Sequence, residues 1–128
     1  MLTLPESLCV LIADDNASDR LLLTTIVRRQ GHTVLSASNG LEALALFEKE
    51  RPQLVLMDAL MPVMDGFEAA RRIKQVAGEA LVPIIFLTSL SESEALVRCL
   101  DAGGDDFLAK PYSEAILTAK INAMERLR

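Results

Sequence analysis

At 128 residues the chain is the size of one domain, able to bury about two thirds of its unfolded surface. It is 51% apolar but only 4% aromatic, so its core must be aliphatic, and no apolar run approaches the roughly 20 residues that span a bilayer. A net charge of −5 argues against direct nucleic-acid binding; the nearest basic run, "RRIK" (Arg71–Lys74), reads as a solvated helix face.

The first residues, "MLTLPESLCV", lack the basic start and small-residue cleavage site of a signal peptide, so a soluble, cytoplasmic protein without membrane association is expected. The first apolar run, Leu8–Ala13, predicts a strand with Cys9 as a small core residue, and it ends in Asp14-Asp15. A helix follows. Leu22, Leu23, Ile26 and Val27 form its apolar stripe, Arg20, Thr24 and Arg28 face water, and Gly31 stops it. His32, the only histidine, reads as a solvated cap. Neither Cys9 nor Cys99 has metal or disulfide spacing, which makes a Ser-His or Cys-His nucleophile system improbable.

Thr33–Ala37 predicts the second strand, followed by a helix with Ala43, Leu44 and Phe47 on its apolar face. The third strand, Leu54–Met57, delivers Asp58 and breaks into a Met- and Pro-rich loop. Met57, Met61 and Met64 read as core and loop filler. Asp65-Gly66 reads as a turn and the start of a helix carrying Phe67, Ala70 and Ile73. Pro83–Thr88 predicts the fourth strand, ending in Thr88-Ser89; its helix opens with Ser91 and Glu94 as a capping box and closes at Gly103. Phe107–Ala109 predicts the fifth strand, ending in Lys110-Pro111. The last helix starts at Ser113, carries Leu117, Ile121 and Met124, and meets no stop signal before Arg128.

Five mostly apolar strands, each followed by a helix, predict one α/β domain over residues 1–128. Its sheet is parallel, its crossovers right-handed, and helices cover both faces. Ligands of such sheets bind beyond the carboxyl ends of the strands. There this sequence places Asp14, Asp15, Asp58, Thr88 and Lys110. Taken singly, the Asp pair is ordinary turn and N-cap chemistry, Thr88 a strand terminus and Lys110-Pro111 a turn. Together they are compatible. Carboxylates gathered near 4 Å would repel by roughly 4 kcal/mol per pair at an effective dielectric of about 20, so they call for cations. Oxygen-only ligands select a hard ion, Mg²⁺ or Mn²⁺. The set suits phosphoryl transfer to Asp58 as nucleophile. The metal would bridge Asp15, Asp58 and a phosphoryl oxygen, Lys110 would hold a second oxygen, and the Thr88 hydroxyl a third.

"LIADDN", "LVLMDALMPVMDGFEAARRIK", "PIIFLTS" and "GGDDFLAKPY" resemble the receiver domain of two-component response regulators, and the resemblance runs from about Cys9 to Met124. It implies a flavodoxin-like, doubly wound (βα)5 three-layer sandwich with strand order 2-1-3-4-5. Asp58 would be phosphorylated by a histidine kinase or phosphotransfer protein. Mg²⁺ would be held by Asp15, Asp58 and the backbone carbonyl of Leu60, with Asp14 supporting through water. Thr88 and Phe107 match the family's switch pair, Lys110 its lysine, and Lys110-Pro111 a peptide that is commonly cis. Ser89 and Gly104 stand where alanine is frequent, and Tyr112 where phenylalanine is. The expected output is a partner, or a second copy, bound differently after phosphorylation. Its surface would be the face of the fourth helix, fifth strand and fifth helix, including Arg98, Asp106 and Lys120.

Three other readings compete. A Mg²⁺-dependent phosphatase with an aspartate nucleophile wants a second acid two residues on, where this chain has Leu60. A nucleotide-binding domain wants glycines where "IADDNAS" has none. A receiver-like scaffold that takes no phosphate would have little use for the acids, Thr88 and Lys110. The apolar Leu60 and Leu90 flanking the site predict slow hydrolysis of an acyl phosphate. The unbroken last helix fits either a single-domain regulator or a receiver cut from a longer chain with a C-terminal output domain.

Overall fold

The computed structural model describes residues 7–90 and 92–126. Ser91, half of the expected capping box, and Leu127 and Arg128, where the last helix is expected to run on, lie outside them. Five strands alternate with five helices: β1 (Cys9–Ala13), α1 (Ala17–Arg29), β2 (Thr33–Ala37), α2 (Gly40–Glu50), β3 (Leu54–Asp58), α3 (Gly66–Ala77), β4 (Ile84–Thr88), α4 (Glu92–Asp101), β5 (Asp106–Ala109) and α5 (Glu114–Arg126). All pairings are parallel, in the order β2-β1-β3-β4-β5. The expected fold is the observed one.

The central strands are apolar throughout because both their faces are covered. Along β3, Leu54 and Leu56 point into one core with α1 and α5, while Val55 and Met57 point into the other with α2, α3 and α4. Val10 and Ile12 of β1, and Ile85 and Leu87 of β4, repeat the first side; Leu11, Ala13, Ile84 and Phe86 repeat the second. Each such side chain contributes about 1.5–3 kcal/mol by leaving water. The edge strand β2 is less covered than its sequence suggested: Thr33 and Ser36 are exposed. Cys9, at the start of β1, is likewise only partly buried.

Three helices begin on short polar side chains that accept a backbone N–H of the first turn. Asn16 accepts from Asp19, Asn39 from Glu42 and Asp65 from Glu68, at 2.8–2.9 Å. The Asp65-Gly66 helix start is therefore as read.

Several surface assignments change. Leu22 is 48% exposed and lies outside the α1 stripe, whereas Thr24 is buried, its hydroxyl donating to the Arg20 carbonyl at 2.7 Å. His32 is buried as well. Its Nδ1 accepts the Leu8 N–H at 3.0 Å, satisfying an amide at the start of the β1–β2 ladder. Arg71 and Arg72 do face water, paired with Glu68, but Lys74 is only partly exposed. Its ammonium donates to Asp105 Oδ2 at 2.9 Å and to the Val82 carbonyl at 2.8 Å, tying the end of α3 to the strand edge.

Gly104 has a local cause. A Cβ there would meet the ring of Phe86, which packs against Phe67 at 5.1 Å between centroids.

Candidate functional site

In this order the direction in which strands are added to the sheet reverses between β1 and β3, so a crevice opens at their carboxyl ends. Ala13 pairs with Met57, which sets Asp14 beside Asp58 one residue further on. Asp58 pairs with Leu87, and Thr88 with Ala109, so the next strand ends bring Thr88 and Lys110 to the same edge. The ladder extends past the strands: Lys110 N–H donates to the Thr88 carbonyl, and Ala59 N–H to that of Leu87.

Oxygens of Asp14, Asp15 and Asp58 lie within 4.8 Å of one another. Asp14, Asp58 and Thr88 are buried, while Asp15 is exposed. Lys110 Nζ lies 3.3 Å from Asp58 Oδ2, 3.6 Å from Asp19 Oδ2 and 3.7 Å from Asp14 Oδ2. Burial, followed by the Asp14 charge, pushes Asp58 up from 3.8 to about 7, although Lys110 opposes both. For Lys110 itself, burial works to lower the ammonium, and Asp58, Asp14 and Asp19 outweigh it to leave it raised. One ammonium among these carboxylates leaves net negative charge in a buried place. The three clustered acids thus fit a hard divalent cation, both in their oxygen donors and in the charge they leave uncompensated.

Thr88 Oγ1 accepts the Leu90 N–H at 3.0 Å. Phe107 is half-buried against the core beside Phe86, its partner across the β4–β5 ladder. Leu60, exposed, follows directly in the loop after β3. The Lys110-Pro111 peptide is cis. On the expected output face, Lys120 pairs with Asp106 at 2.7 Å, and the Arg98 guanidinium stacks over Phe67 at 4.2 Å.

Two residues near the site carry no role in the sequence reading. Tyr112 donates its hydroxyl to Asp14 Oδ2 at 3.2 Å, and Asp19 reaches Lys110 from the first turn of α1. Asp19 stands four residues after Asp15, a helical spacing that could have flagged it.

The sequence matches the response regulator receiver domain over residues 10–122. The chain belongs to that family. Receiver domains are the signalling domains of two-component systems. A probable transcriptional regulator, ycf27, of Porphyra purpurea is 41% identical over 91% of the chain, which covers 47% of that protein. Protein PilH of Pseudomonas aeruginosa is 36% identical, with 90% of this chain and 95% of PilH covered. The chain spans about half the length of ycf27-type relatives and nearly all of PilH. Among solved structures, the receiver domain of the sensor histidine kinase PA1611 from Pseudomonas aeruginosa superposes with a TM-score of 0.85. It is 31% identical, with 94% of this chain and 98% of that one covered, and it was solved with a magnesium ion coordinated in the active-site cleft. Among the described residues of the present chain, no helix is long and apolar enough to cross a membrane.

Proposed function

We propose that this receiver takes a phosphoryl group on Asp58 from a histidine kinase or phosphotransfer protein in the cytoplasm, and that it catalyses only its own phosphorylation and dephosphorylation. The observation that carries this reading is the convergence of Asp58 and Lys110 at 3.3 Å beside two further carboxylates at the strand-order reversal. Asp58 Oδ attacks the phosphorus and the donor's leaving group departs with its bonding pair, giving an acyl phosphate. Lys110 holds one phosphoryl oxygen and the Thr88 hydroxyl another, so charge is met by groups fixed in advance. Asp14, Asp15, Asp58 and the Leu60 carbonyl would hold Mg²⁺, with Mn²⁺ as a substitute; when bound, the ion neutralises the carboxylates and the incoming phosphoryl charge. The phosphatase alternative wants a general acid two residues after the nucleophile, where this chain has Leu60.

Phosphorylation adds strong acceptors beside Thr88, whose hydroxyl turns inward, and Phe107 moves into the space released. The face of α4, β5 and α5 then changes its affinity for an output domain or a second copy. Residues 1–128 act as one receiver unit, either alone or joined to an output domain. Incubation with acetyl phosphate and Mg²⁺ should add one phosphoryl mass to the protein and none to Asp58→Asn, and EDTA should block it. Undiminished labelling of Asp58→Asn would overturn the reading.

A further inference from the structure

Lys110 has more anionic neighbours than one ammonium can satisfy. Asp58 and Asp14 belong to the buried cluster, but Asp19 does not: its side chain is 36% exposed and comes from the first turn of α1. The Asn16 cap, which accepts the Asp19 N–H at 2.9 Å, fixes where that side chain starts. Asp14 is already served by the Asn16 N–H on Oδ1 and the Tyr112 hydroxyl on Oδ2. Among the described residues, the Asp19 carboxylate has Lys110 as its sole ion-pair partner. Asp19, Leu22, Lys110, Pro111 and Tyr112 also line a 360 Å³ cavity, so the ammonium stands between buried Asp58 at 3.3 Å and Asp19 at 3.6 Å beside that cavity.

Resting on the phosphoacceptor reading above, we propose that Asp19 is a positioning residue that competes with Asp58 for Lys110 and so restrains the site's capture of a phosphoryl anion. An anion arriving at Asp58 needs the ammonium turned inward, and the Asp19 pair must loosen for that. Asp19→Asn removes the competing charge while keeping the shape, and leaves the ammonium to the buried carboxylates Asp58 and Asp14 alone.

The test uses the intact chain with two readouts. Without metal or anion, the nitrogen resonance of the Lys110 side chain at fixed pH should shift in Asp19→Asn and stay put in Glu48→Gln. That second variant makes the same charge change on the exposed face of α2. With Mg²⁺ and beryllofluoride as phosphoryl mimic, Asp19→Asn should bind the mimic about two- to five-fold more tightly, the range that partly exposed ion pairs command. In a Lys110→Gln background, Asp19→Asn should bring no gain. A gain that survives there means that Asp19 simply repels the anion, and an unmoved Lys110 resonance means that there is no competition; either result overturns the proposal. Beryllofluoride binding indifferent to Asp19→Asn overturns it alone, whereas no binding in any variant removes the phosphoacceptor reading and this proposal with it.

Discussion

A methyl group at residue 66 would overlap the backbone carbonyl of Asp58. Gly66 starts α3, and its N–H donates to the Ala59 carbonyl, so helix and strand end touch backbone to backbone. Gly66→Ala should therefore cost about 1–3 kcal/mol through overpacking and, by displacing Asp58, slow labelling by acetyl phosphate more than ten-fold. Urea denaturation and the labelling rate measure the two effects; an unchanged rate would show that the contact does not aim Asp58. Asp58 itself predicts a pH dependence. Its folded value of about 7 lies above its ordinary 3.8, so the folded chain binds the extra proton. The stability this group contributes is complete below about 3.8 and lost as pH rises to about 7. Each unit is worth about 1.4 kcal/mol. In EDTA, Asp58→Asn should be more stable than the parent at neutral pH by up to a few kcal/mol, with the gap closing toward pH 4. A gap independent of pH would contradict the charge argument.

Between elements, Asp105 joins three pieces of chain: its Oδ2 accepts from Lys74 of α3 and from the Ile84 N–H at the head of β4. Asp105→Ala strands that amide and leaves the Lys74 ammonium with the Val82 carbonyl alone, and should cost about 1–3 kcal/mol, read by denaturation. A cost below about 0.5 kcal/mol, the ordinary range for surface changes, would show that the tie is idle. Contacts of this kind explain where sequence reading stopped. The strand ends were legible because an apolar run that halts at an acid, a hydroxyl or a lysine marks its own boundary. Lys74 was misread because helical periodicity tells which way a side chain leaves its helix, and a long aliphatic stem can still return its charge to a distant partner. Leu22 and Thr24 were exchanged for a related reason: the stripe's width depends on how much of α1 the sheet covers. His32 found an amide 24 residues away, and Tyr112 an acid 98 residues away; neither pairing leaves a periodic trace.

Across the whole molecule, the site and the proposed output face are linked through β4 and β5. Thr88 pairs with Ala109 and Phe86 with Phe107, so the proposed turn of Thr88 would take place beside the strand that carries Phe107 and Asp106, the partner of Lys120. An aromatic ring passing from half-buried to buried is worth on the order of 1 kcal/mol or more, enough to shift a balanced equilibrium several-fold. A chemical-shift map with and without beryllofluoride should therefore show changes running through Phe107 into α4 and α5. Changes confined to the Asp58 pocket would contradict the switch while leaving the acceptor intact.

The central claim, that the acceptor is Asp58, is tested most directly by locating the phosphoryl group. Borohydride reduces an aspartyl phosphate to homoserine, which tandem mass spectrometry can place in the sequence. After labelling with acetyl phosphate and Mg²⁺, homoserine is expected at position 58 and nowhere else; homoserine at Asp14 or Asp15 instead, or a phosphoryl mass that leaves no homoserine, would contradict the account.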